Sequence, residues 1–143
     1  MRGRAELAAI SPEVAAARKT ATEIVKREPK DLREWQANMR ELVSALDNYD
    51  RLLDRDRRTM QRGDQENLYA SDPERGQIRV LLEVLDLRKQ QSAKQREEAN
   101  LILAYDPSIS NVSDLQSELR LTDSDVEGLD RRASELLADS GIK

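Results

Sequence analysis

The stretch DLREWQANMRELVSALDNYDRLL, residues 31–53, decides the architecture. Leu32, Trp35, Met39, Leu42, Leu46, Tyr49 and Leu53 recur at alternating spacings of three and four, which is a heptad seam on one face of a helix. Asp31 can cap the helix start, and Glu34 three residues later completes a capping box. The next seam positions are Asp56 and Met60, so the stripe weakens there. Gly63 is the expected end.

The segment that follows, residues 63–72, is polar and punctuated, with Tyr69 as its one large apolar group. It serves as the tip between two long helices. Ser71 or Asp72 can cap the second, Pro73 suits its first turn, and no breaker follows until Asp106-Pro107. Spans of 31–62 and 73–105 would each run about 50 Å at 1.5 Å per residue. Helices of equal length with a short link fold as an antiparallel hairpin. A fold point at the middle of the link sets residue i near residue 135 − i.

Upstream, SPEVAAARKTATEIVKREP begins with Ser11 as a cap, Pro12 at the first helical position and Glu13 at the positive helix end. Val14, Ala17, Ala21 and Ile24 form its apolar stripe. Pro29 stops it, because the residue before proline is driven out of the helical region. The small alanines suit close packing on another helix.

The second long helix is uneven. Ile78, Leu81, Leu82, Val84, Leu85 and Leu87 wrap most of its circumference, whereas residues 88–98 are almost wholly polar, and only Ser92, Ala93 and Ala99 can face the seam there. A helix apolar all round must be buried on more than one side. Either this belt is an oligomer or partner interface, or the N-terminal helix or C-terminal segment folds over it.

Residues 106–143 hold nine acids and four bases, a net charge of −5, which leaves the first 105 residues at +1. Two short helices are expected here, at 114–120 after Ser113 and at 123–138 after Thr122, with Gly141 as terminator. Within DLQSELRLTDSDVEGL, residues 114–129, three readings compete. Asp123, Asp125, Glu127 and Gly128 match the start of a calcium loop, but position 12 is Ser134 and the required Glu falls one place late, at Glu135. The stretch resembles a bacterial helix-turn-helix, which would make the chain a DNA-binding regulator. Yet its recognition helix would bring Asp123, Asp125 and Glu127 to the phosphates. The third reading is an acidic, capped helix pair whose Asp123, Asp125 and Glu127 present a docking surface to a basic partner.

Composition narrows the chemistry. With 38% apolar residues, no Phe and one Trp among 143 residues, thin helical seams suit the chain better than a rounded core. The absence of Cys and His removes thiolate nucleophiles, imidazole bases and Cys/His zinc sites. No glycine-rich phosphate loop is present. No cofactor or metal is expected, and the chain reads as a non-enzyme. No apolar run approaches the ~20 residues of a membrane span, so a cytoplasmic or virion location is expected. Arg51, Arg55, Arg58 and Arg62 are the candidate nucleic-acid contacts, set against a solvated face in which Asp50, Asp54 and Asp56 pair with them.

These observations predict an all-α protein: an N-terminal helix in residues 1–30, a long hairpin over 31–105 and an acidic helical subdomain over 106–143. The expected function is assembly through helix surfaces, mainly by self-association. The hairpin, with its polar tip and GDQENLYASDPERG, resembles bacteriophage small terminase subunits. That resemblance implies a ring-forming subunit in viral DNA packaging.

Overall fold

A computed structural model of the chain describes residues 11–65 and 72–140. These residues form four helices and no strand: α1 (Pro12–Val25), α2 (Leu32–Gln65), α3 (Asp72–Ala104) and α4 (Val112–Ser140). The fold is all-α, as the heptad spacing implied. Residues 66–71, most of the expected tip with Tyr69, lie outside the described residues, as does Gly141. Helix α2 continues past Gly63 to Gln65, so that glycine does not end it.

The start signals act as read. Ser11 Oγ accepts from the Val14 amide at 3.3 Å, and Asp31 Oδ1 accepts from the Glu34 amide at 2.8 Å. Helix α1 buries Val14, Ala17, Ala21 and Ile24 against α2. The α2 seam is buried from Met39 through Leu53, with Leu32 and Trp35 half-buried at its open end. It does not fade afterwards: Asp56 and Met60 are buried too. Asp56 is tolerated in an apolar seam because its carboxylate accepts from the Ser11 amide, 3.3 Å away at the start of α1, and pairs with Arg55 at 3.2 Å.

Ion pairs fix the hairpin register. Lys89 meets Asp54 at 2.8 Å, Arg57 meets Asp86 at 3.0 Å, and Arg96 meets Asp47. Residue numbers in each pair add to 143, not to the 135 expected from the fold point. Side chains on a helix lean toward its N-terminus, so long basic groups on antiparallel neighbours reach partners displaced along the axis. At the open end Gln36 donates from Nε2 to the carbonyls of Ile102 (3.0 Å) and Tyr105 (3.1 Å), which satisfies the end of α3.

The largest departure from expectation is α4. Instead of two short helices it is one of 29 residues. Asn111, not Ser113, begins it, accepting from the Ser113 amide at 2.8 Å. Thr122 does not cap a second helix; its hydroxyl turns back to donate to the Glu118 carbonyl at 2.9 Å. The helix-turn-helix therefore has no turn, and the calcium loop has no loop, because residues 120–134 are continuous helix. The physical reason is an unbroken stripe. Leu115, Leu119, Thr122, Val126, Leu129, Ala133 and Leu136 keep four-three spacing through the expected break.

Helix α4 runs back along α3, marked by Lys94–Asp125 at 3.6 Å, Arg88–Asp130, and Arg132–Glu83 at 3.7 Å. Arg18 on α1 also reaches Asp130 at 3.1 Å. The four helices thus alternate in direction around a shared core. No helix among the described residues is long and apolar enough to cross a membrane.

Candidate functional site

The belt at 78–87 is covered from within the chain. Ile78, Leu81 and Leu85 pack with α1 and α2 residues, and Leu82 lies against that cluster. Val84 and Leu87 pack on Ala133, with Leu129, Leu136 and Leu137 around them. Five of the six side chains are 4% exposed or less, and Leu82 is half-buried. Of the two readings of the belt, as an interface between subunits or as a face covered by the chain's own helices, the structure has the second. Helix α3 is central, so one side of the belt faces the α2 side and the other faces α4.

The arginines divide. Arg55 is occupied by Asp56, Glu13 and the Ser11 hydroxyl. Arg51, Arg58 and Arg62 are exposed on one α2 face; Arg51 donates to Asn48 at 2.7 Å, and Arg58 and Arg62 meet no acid among the described residues. The acids expected to pair with them reach elsewhere, Asp50 to Arg96 at 2.7 Å and Asp54 to Lys89.

Asp123, Asp125 and Glu127 are all exposed on α4. Asp125 pairs with Lys94, Glu127 is exposed, and Asp123 borders a recess between helices. That recess exists because α1 is short. At 14 residues it covers about 21 Å of a 34-residue α2 that runs about 51 Å. Beyond Val25 the groove over α2, α3 and α4 stays open. The pocket there holds about 230 Å³ and is lined by Val25, Trp35, Met39, Leu42, Gln95, Glu98, Ile102, Asp123 and Val126.

Its chemistry centres on Glu98, a residue the sequence did not single out. The carboxyl groups of Glu98 and Asp123 both border this pocket, and Glu98 Oε1 is enclosed with no hydrogen-bond partner. Burial, the Asp123 carboxyl and the nearby Glu97 charge push the Glu98 carboxyl up to about 8. Such a pair can hold a proton or a cation. A hydroxyl or thiol nucleophile does not line this pocket.

A second recess, about 470 Å³, lies at the open end between α3 and the start of α4, bordered by Leu101, Tyr105, Ile109, Asn111, Leu115 and Glu118. Its loop is shaped by Asp106, whose Oδ1 accepts from the Ser108 amide and hydroxyl at 2.9 and 2.7 Å. Those bonds hold the Asp106 carboxyl below its ordinary range. No protein-family model, curated protein or solved structure matches the chain.

Proposed function

We propose that the chain is a non-enzymatic helical interaction protein that associates with further copies of itself through the open end of its bundle. The observation that supports this is where large apolar side chains remain exposed. Val25, Ile109, Val112 and Leu121 are 50%, 82%, 50% and 71% exposed. Each lies in the half of the bundle away from the hairpin tip. Val25 lines the smaller recess and Ile109 the larger, Val112 follows Asn111 of the larger lining, and Leu121 lies two residues before Asp123 of the smaller. Scattered surface apolar residues are ordinary, but a set that, among the described residues, falls in one half favours contact there.

A ring-forming subunit of the small-terminase kind is one form of this reading, supported by the paired helices of 34 and 33 residues alone. The exposed Arg51, Arg58 and Arg62 stripe favours a polyanion contact as a second role. Light scattering on the full chain tests the main reading. The expected mass is a multiple of 16.3 kDa. A single 16.3 kDa species at all concentrations overturns it.

A further inference from the structure

The pocket under the end of α1 combines two carboxyl groups with an apolar wall. Its polar lining is Glu98, Asp123 and Gln95; the rest is Trp35, Met39 and aliphatic side chains. We infer that this pocket binds the ammonium end of an aliphatic chain, with the charge between Glu98 and Asp123 and the alkyl portion against the apolar wall.

Four observations lead there. The enclosed Glu98 Oε1 receives no hydrogen bond, and an ammonium supplies three donors. Lys94, one turn before Glu98 on α3, is already engaged: it pairs with Asp125 at 3.6 Å and Glu97 at 3.5 Å. Helices α1 and α2 contribute only uncharged groups to the wall, and the charges that act on Glu98 are those of Asp123 on α4 and Glu97 on α3. At about 230 Å³ the space lies below the roughly 300–1,000 Å³ of pockets for drug-sized ligands, which suits a short amine.

Other ligand classes fit worse. Hard divalent cations take about six to eight oxygens, and among the described residues no three Asp, Glu, His or Cys side chains converge. An anion meets two carboxyls. A neutral apolar molecule leaves the Glu98 oxygen without a donor. An aromatic face adds attraction for an organic cation.

Trp35 is the single tryptophan and lines this pocket, so its emission reports on ligand binding there. The full chain is titrated with butylammonium chloride, N-acetyl-lysinamide, butanol and sodium butyrate at fixed ionic strength. Saturable changes are expected with the two amines and none with butanol or butyrate. Tighter binding of N-acetyl-lysinamide assigns the natural ligand to a lysine side chain; tighter binding of butylammonium assigns it to a free amine. The cation displaces the proton held by Glu98, whose carboxyl is pushed up to about 8. Affinity therefore rises about tenfold between about pH 7 and about pH 9, where alkylamines remain charged. Glu98→Gln and, separately, Asp123→Asn should each weaken binding at least about tenfold with helix content unchanged. No saturable response to either amine, an equal response to butanol, or a wild-type affinity independent of pH overturns the inference.

Discussion

Arg88 of α3 and Asp130 of α4 form an ion pair in which the guanidinium is 8% exposed and the carboxylate 45%. Arg18 of α1 reaches the same Asp130 oxygen at 3.1 Å. One carboxylate thus ties three helices, and it is the main charged partner of a cation held inside the bundle. Gln91 accepts a further bond from Arg88 at 3.0 Å, which leaves the guanidinium without a counter-charge if Asp130 is lost.

Asp130→Ala is therefore expected to destabilise the fold by about 1–3 kcal/mol, the cost of leaving a buried polar group unsatisfied. Arg18→Ala, which removes only a half-exposed pair, is expected to cost less than about 1 kcal/mol. Urea denaturation followed by circular dichroism measures both. Equal effects would show that Arg88 does not depend on Asp130.

Continuity of α4 makes a second prediction. Arg120 occupies the place where a helix-turn-helix commonly carries glycine, yet here it lies in mid-helix. Arg120→Gly should cost roughly 1 kcal/mol, the helix-interior penalty of glycine. In a turn the same change would be neutral or stabilising. The shift of the urea midpoint at constant slope distinguishes the two.

That helix also shows how far the sequence could be read. The α2 seam was legible because Leu, Met and Tyr dominate it. The α4 stripe passes through Thr122 and Ala133, whose small or polar side chains weaken its apolar signal. Thr122 followed by acids looks like a cap, but its hydroxyl bonds backward to Glu118 instead. A strict four-three count across that threonine was the available clue to one helix. The belt had the same cause: its second face is explained only when α4 lies along all of it.

The Glu98 site was not legible. Its apolar wall comes from all four helices, and no local spacing announces it. The signal is tertiary: a short α1 stops at Val25 and leaves the groove beyond it uncovered.

The pH dependence follows from that burial. Glu98 has its carboxyl raised from an ordinary 4.5 to about 8, so the folded state holds a proton that the unfolded state has released between those values. Stability contributed by this group is full below about pH 4.5 and declines as pH rises to about 8. Glu98→Gln should flatten the decline and raise the melting temperature at pH 8 relative to wild type. Thermal melts of both proteins across that range measure it; parallel profiles would contradict a raised Glu98 carboxyl. Glu41 and Asp106, whose carboxyls lie below their ordinary values, act in the opposite sense and lose their contribution only in acid.

The central claim is that the open end of the bundle, and not the buried belt of α3, joins copies of the chain. Burying a large apolar side chain contributes ~1.5–3 kcal/mol, so placing charges at two such positions should weaken association at least about 100-fold. The most direct measurement is the light-scattering mass of an Ile109→Asp, Leu121→Asp double variant beside wild type. Both residues are more than two-thirds exposed, so the variant keeps its fold. The account predicts a helical monomer of about 16.3 kDa for the variant and a larger assembly for wild type. A variant that retains the full wild-type assembly mass would contradict it.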